Sequence, residues 1–387
     1  MKKFLTISAC AVAMAFGTTA AQAEVKVGFM STLSGPAAAL GQDQYDGFML
    51  ALEHLGGKLG DTDTVIIKED DQLKPDLGVQ NVRKLIERDK VDLITGITFS
   101  NVMMAIAKPV EESETFLISS NAGPAPLAGE QCSPYFFFTS WQNDNQAEVM
   151  GEYANQKGYE NVYMMAPNYQ SGKDQLEGFK RFYKGNVIGE VYTQINQPDY
   201  SAEIAQLQAA NPDAVYVFYP GGMGVNFIKQ FNQAGLLGKI ALVSASTVDG
   251  TTLPALQETA LGAIAGTFWG PDFDNPTSKK FVEDFEAKYN RIPSQYAAQA
   301  YDSALLIDSA LRKTGGSTKD KEAFRKALEE ADFTSVRGDF KFGNNHFPIQ
   351  DMYAFEVAKD DKGRVSLKTI AKPLTDHRDA YHTECKL

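Results

Sequence analysis

Val25-Lys26-Val27-Gly28-Phe29-Met30 reads as a buried strand, a short β-branched and aromatic run too brief for a helix. Outward from it the pattern repeats. A helical period covers 43–55, a run at 64–68 leads to a helix over 76–88, 91–95 leads to 101–112, and 115–119 ends in a loop. Residues 134–139 add a strand before a helix over 143–156. Such alternation predicts parallel strands crossed over by helices. The series then restarts, pairing 162–166 with 173–183, 187–192 with 202–209, 214–219 with 225–234, and 240–244 with a turn before 261–268. Helical patterns return at 278–289, 297–313 and 321–330. The tail is strand-like at 339–342, 351–357 and 364–370, around the turn Asp360-Asp361-Lys362-Gly363. Two successive series predict two doubly wound α/β lobes, with switches between them near 138–143, 267–273 and 345–351. Three such crossings make a hinge, and the cleft lies at the carboxyl ends of the strands.

The residues before this strand carry an export signal. Met1, Lys2 and Lys3 form a positive n-region, residues 4–16 an apolar h-region, and Ala21-Gln22-Ala23 a cleavage site. The h-region is too short and too rich in Ala and Thr to span a bilayer, which takes about 20 apolar residues. Ile7-Ser8-Ala9-Cys10 loosely resembles a lipoprotein box but follows Lys3 too closely. Cleavage after Ala23 and release into the periplasm is the expectation, with no direct membrane insertion afterwards.

Removal of 23 residues from 387 leaves 364, enough for two domains. Loss of Lys2 and Lys3 moves the net charge from −12 to −14. Such a surface repels nucleic acid and anionic lipid, so the expected partner is a small molecule and the expected state a monomer. Cys132 and Cys385 remain after cleavage, an even pair in an exported chain, and a disulfide between them is expected. It would tie the tail to the body and add roughly 4–5 kcal/mol in the chain-entropy model.

Several strand ends carry small, polar or glycine residues, the composition of a ligand site beside helix N-termini. Gly96-Ile97-Thr98-Phe99-Ser100-Asn101 follows one strand and Ser120-Asn121-Ala122-Gly123-Pro124 the next. In the second series these are Pro167-Asn168-Tyr169-Gln170-Ser171-Gly172, Tyr219-Pro220-Gly221-Gly222 and Ser244-Ala245-Ser246-Thr247-Val248-Asp249. Ser100 stands where its hydroxyl and the free N–H groups of the next helix can receive a carboxylate, and it can equally cap that helix. Phe99, Trp141, Tyr169, Phe218 and Tyr219 can sandwich a planar or apolar ligand, or simply pack.

The sequence carries no recognisable catalytic or cofactor motif. Gly222-Met223-Gly224 lacks the third glycine of a dinucleotide fingerprint, and no phosphate loop, zinc motif, calcium loop or nucleophile elbow occurs. His54, His346, His377 and His382 are scattered, so no metal site is expected and each reads as surface or cap. Asp70-Asp71 reads as a solvated turn.

The run 27–37, Val-Gly-Phe-Met-Ser-Thr-Leu-Ser-Gly-Pro-Ala, together with Gly41, resembles the opening of the leucine/isoleucine/valine-binding family of periplasmic substrate-binding proteins. Asp70-Asp71, Ile118-Ser119-Ser120-Asn121-Ala122 and Gln230-Phe231-Asn232-Gln233-Ala234-Gly235-Leu236 extend the resemblance, in order, over the mature chain. It implies a type I periplasmic binding fold that closes on a solute and docks on an ABC permease in the inner membrane, without a cofactor or catalysis. It also implies a ligand carboxylate on Ser100 and on groups at Asn121, Ala122 and Gly123, although glycine stands where the family has a hydroxyl.

The family's second-lobe acid, which receives an amino-acid ammonium, falls near Ser246, and Asp249 is the only acid close by in sequence. A buried ammonium without a carboxylate is costly, which shifts the expectation toward aromatic acids and leaves amino acids as the alternative. The expected lobes are 24–142 with 271–346, and 143–270 with 347–387. An exported enzyme and a chemosensory receptor are the other classes.

Overall fold

The computed structural model describes Glu24–Leu387; the expected leader, Met1–Ala23, lies outside the described residues. The first sheet contains β1 (Glu24–Ser31), β2 (Lys58–Leu59), β3 (Thr62–Asp70), β4 (Leu93–Gly96), β5 (Phe116–Ser119) and β6 (Phe136–Phe138), in spatial order β2-β3-β1-β4-β5-β6. All its pairings are parallel except the short β2–β3 hairpin. The second sheet is built from β7 (Asn161–Pro167), β8 (Asn186–Thr193), β9 (Ala214–Phe218), β10 (Ala241–Ala245) and β11 (Ile264–Thr267). It is finished by β12 (Lys341–Phe342), β13 (Pro348–Lys359) and β14 (Val365–His377). Its order is β12-β13-β11-β10-β9-β7-β8, with β14 paired on β13, and β13 and β14 run antiparallel.

Burial explains which runs became which strands. Leu93-Ile94-Thr95-Gly96 and Ala214-Val215-Tyr216-Val217-Phe218 are buried throughout, as central parallel strands covered on both faces should be. Edge strand β8 instead alternates exposed and half-buried residues, the signature of a sheet wetted on one side.

Both lobes are doubly wound, and each reverses its strand order once, between β1 and β4 in the first sheet and between β7 and β9 in the second. Loops diverge at such a point and leave a crevice at the carboxyl ends of the strands. The chain leaves the first sheet after β6 and enters the second lobe through helix Asn145–Lys157, which packs on β10, β11, β13 and β14. It returns after β11 to helix Pro276–Tyr289, which packs on helix Ala38–His54, and crosses again before β13. Arg337 is buried where these crossings meet. Its guanidinium donates to the Thr139 and Ser140 carbonyls and to Gln350 Oε1 at 2.6 Å, pairs with Asp302 at 3.1 Å and lies 3.9 Å from the Phe268 ring centre.

A fourth link follows β14. Cys385 is disulfide-bonded to Cys132 in the first lobe, with Cα atoms 5.7 Å apart, and Asp379 accepts from Asn345 Nδ2 at 3.0 Å. Tyr381, between them, donates its hydroxyl to Asp144 Oδ2 at 2.9 Å and accepts from Arg181 of the second lobe at 3.0 Å. The tail is therefore a strap with both ends held.

Two local expectations fail. Asp71 is buried rather than solvated, because the loop after β1 folds over it: its carboxylate accepts from Thr32 Oγ1 and, at 2.8 Å, from Leu73 N–H. His346 is buried too, stacked on Phe137 with ring centres 4.0 Å apart and Nδ1 against the Phe136 carbonyl.

Candidate functional site

The crevices of the two lobes face each other across a cavity of about 20 Å³, far below the roughly 300–1,000 Å³ typical of small-molecule sites, so a ligand enters only when the lobes part. The first lobe contributes Leu40 from helix Ala38–His54, Thr98 and Phe99 after β4, Asn121 and Ala122 after β5, and Tyr296 from helix Gln295–Lys313. The hinge contributes Trp141 and Asn143. Tyr169 and Ser171 follow β7, Phe218 and Pro220 end β9, Ser246 follows β10, and Gln146 and Gln175 lie on second-lobe helices. Among the described residues no charged side chain borders the space. A larger hollow runs along the hinge beside Phe268, Arg337, Gly338 and Asp351, but it touches no strand end at either switch point.

Aromatic rings form much of the wall. Phe99 and Tyr169 meet across the lobes with ring centres 6.1 Å apart, Tyr169 continues to Phe218 at 6.3 Å, and Trp141 reaches Tyr296 at 6.4 Å. Phe99 and Tyr169 each immediately precede a helix, Ser100–Glu112 and Gln170–Phe182, and neither helix has a side-chain cap. Two positive helix ends, one per lobe, therefore start at the cavity wall.

The lobes touch on both flanks. Gly222 N–H donates to the Pro36 carbonyl at 3.1 Å, and a Cβ on Gly222 would lie 2.8 Å from that oxygen, so glycine permits the approach. On the flank beside the strap, Asp174 Oδ2 accepts from Ala125 N–H of the first lobe at 3.2 Å and from Asn143 Nδ2 at 2.8 Å. Ser100 Oγ accepts from Ser171 Oγ at 2.7 Å and from Asn143 Nδ2 at 3.0 Å. Burial raises the Asp174 carboxyl above its ordinary value. Burial, then repulsion from Asp174 and Glu148, pushes Asp144 up to about 7 even though Arg181 lies 2.7 Å away.

On the other flank Ser246 Oγ donates to Gln146 Oε1 at 3.0 Å and accepts from Gln295 Nε2 at 3.2 Å, again across the lobes. Here pairing is incomplete. Gln146 Nε2 and the Tyr296 hydroxyl are buried without partners. Asp249 does not border the cavity: its Oδ1 is held by Thr251 N–H at 2.8 Å and Thr251 Oγ1 at 2.6 Å. Burial raises its carboxyl, and its Oδ2 is buried without a partner.

Of the residues expected at the site, Phe99, Asn121, Ala122, Trp141, Tyr169 and Ser246 border the cavity. Ser100, Gly123 and Tyr219 do not. The Ser100 hydroxyl is turned into the inter-lobe network, and Gly123 packs so tightly that a Cβ would lie 2.1 Å from the Trp141 carbonyl. The Tyr219 hydroxyl is held by Thr193 at 3.2 Å, with its ring against Tyr200 and Phe227. The side chain of Asn121 is bonded within the protein, to the Thr98 carbonyl and to Gln299 Nε2. Leu40, Gln146, Gln175 and Tyr296 escape a search of strand ends because they sit inside helices. Asn143-Asp144-Asn145-Gln146 and Ser294-Gln295-Tyr296, polar starts of helices beside the hinge and the cleft, were the available signals.

Among the described residues no three His, Cys, Asp or Glu side chains gather as a metal site, and no helix is long and apolar enough to cross a membrane. A family model described as periplasmic binding protein matches residues 24–363. A Leu/Ile/Val-binding protein homologue of Brucella melitensis is 27% identical over 383 residues, covering 96% of each chain. A solute-binding protein of an ABC transporter from R. palustris, solved with benzoate, superposes with a TM-score of 0.89 at 28% identity, covering 94% of this chain and 100% of that one. Another, from Rhodopseudomonas palustris BisB5 and solved with 3,4-dihydroxybenzoic acid, gives 0.85 at 26% identity, over 92% and 99%.

Proposed function

The chain belongs to the periplasmic binding protein family, and we propose that it is the solute receptor of an ABC importer for a small aromatic carboxylate. The observation that carries this reading is a cavity walled by Phe99, Trp141, Tyr169, Phe218 and Tyr296 and bordered by no charged side chain. Rings on several sides suit a flat, apolar body. The carboxylate rests against the uncapped first turns of Ser100–Glu112 and Gln170–Phe182, where N–H groups and helix dipoles favour an anion. An α-amino acid would add an ammonium with no carboxylate to meet it, a desolvation cost of several kcal/mol. The R. palustris proteins solved with benzoate and dihydroxybenzoic acid support the same class.

The ligand touches both lobes, so binding draws the population toward the closed form, and that form is what the inner-membrane permease receives. Lobes of 24–142 with 271–346 and 143–270 with 347–387, with the short β12 of the former crossing early to pair with β13, exported behind a leader cleaved after Ala23, complete the proposal. Names among the relatives favour a second reading, branched-chain amino acids. A thermal-shift screen separates the two. Benzoic acids are expected to raise the melting temperature and leucine and valine to leave it unchanged; the reverse pattern refutes the aromatic reading.

A further inference from the structure

Gln146 and Tyr296 each present a buried polar atom, without a partner, in the wall of the cavity. We infer that the ligand carries a second oxygen, a ring hydroxyl or its equivalent, remote from the carboxylate and received by Gln146 Nε2 and the Tyr296 hydroxyl. This rests on the reading of the ligand as an aromatic carboxylate.

The orientation of the Gln146 amide follows from its neighbours. Gln175 Nε2 donates to the Asn143 carbonyl at 2.7 Å, and a carbonyl can only accept, so the orientation of Gln175 is set. The same Nε2 approaches Gln146 Oε1 at 3.5 Å, and Ser246 Oγ donates to that oxygen. The oxygen end of Gln146 is therefore taken, and its NH2 end is left as a donor. Burial, then the nearby Asp249 charge, keeps the Tyr296 hydroxyl protonated; Ser246 and Gln295 lie close to it, but each is already engaged with the other and neither makes a well-formed hydrogen bond to it. Two donors in the wall of one cavity call for an acceptor oxygen.

The position fits a ligand read at both ends. Tyr169 and Ser171 follow β7, whereas Ser246, which bonds Gln146, follows β10, two strands further along the sheet. At about 4.8 Å per strand that separates the two polar ends by roughly 10 Å. A site with unpaired donors at the far end discriminates against a ligand lacking the oxygen, because those donors then remain buried and unpaired.

Titration calorimetry on the mature chain with benzoate, 4-hydroxybenzoate and 3,4-dihydroxybenzoate tests this. A hydroxylated acid is expected to bind the wild type at least about 10-fold more tightly than benzoate. In Tyr296→Phe and Gln146→Leu that preference is expected to shrink while benzoate affinity holds or rises. Equal or tighter binding of benzoate by the wild type, which needs no variant to fold, overturns this inference and leaves the aromatic-acid reading standing. A preference that persists undiminished in both variants overturns the assignment of these two residues. If none of the three acids binds, the aromatic reading itself fails and takes this inference with it.

Discussion

The two flanks of the cleft solve the same problem differently. Beside the strap, Ser100, Asn143, Ser171 and Asp174 pair with one another and with Ala125 across the lobes, and none of their polar atoms is left over. Beside Ser246 the lobes also meet, but Gln146 and Tyr296 keep unpaired donors. The first flank closes on itself; the second waits for a ligand. Changes on the strap flank should therefore alter how well the protein closes on any ligand, and changes on the other should alter which ligand it closes on.

The largest expected effect is on the strap. Replacing Cys132 and Cys385 by serine, which opens a link spanning 253 residues, should cost about 5 kcal/mol in the chain-entropy model, read as a lower urea midpoint. An unchanged midpoint would mean that the tail is held by Asp379 and Tyr381 alone. Next is Asp174→Ala, which strands Ala125 N–H and takes one of three acceptors from Asn143 Nδ2 in the closed form. At about 1–3 kcal/mol for buried groups left unpaired, it should weaken every ligand roughly 10- to 100-fold without changing their order. A change in rank order by calorimetry would erase the distinction between the flanks. Smallest is Ser100→Ala, which removes one acceptor shared by Asn143 and Ser171. A loss of about 1–2 kcal/mol is expected, again equal for all ligands. A loss confined to carboxylates would return Ser100 to the ligand's own contacts.

The order and type of the strands were legible because central parallel strands such as 93–96 and 214–218 must be apolar on both faces. The aromatic wall was partly legible, since Phe99 and Tyr169 sit where strand ends meet helix starts. Ser100 lies off the cavity for a physical reason: the position offers a hydroxyl to the cleft, but Ser171 from the other lobe and Asn143 from the hinge engage it. Local sequence carries no record of such a partner, 71 residues away. Gln146, Gln175 and Tyr296 were hidden likewise, because a helix face turns toward the cleft only once the hinge sets its angle. Asp249 is the converse, an acid close in sequence whose side chain the Thr251 turn draws away.

The strap has a consequence for how the protein matures. The sequence contains three cysteines, and one of them, Cys10, lies in the proposed leader. If cleavage follows the proposal, Cys132 has a single possible partner within its own chain, so oxidation can produce no scrambled isomer. Maturation then calls for a thiol oxidant but no enzyme to reshuffle mispaired bonds. While export proceeds, however, Cys132 must wait as a free thiol until 253 further residues have followed it across the membrane. In that interval its hazard is pairing with another molecule.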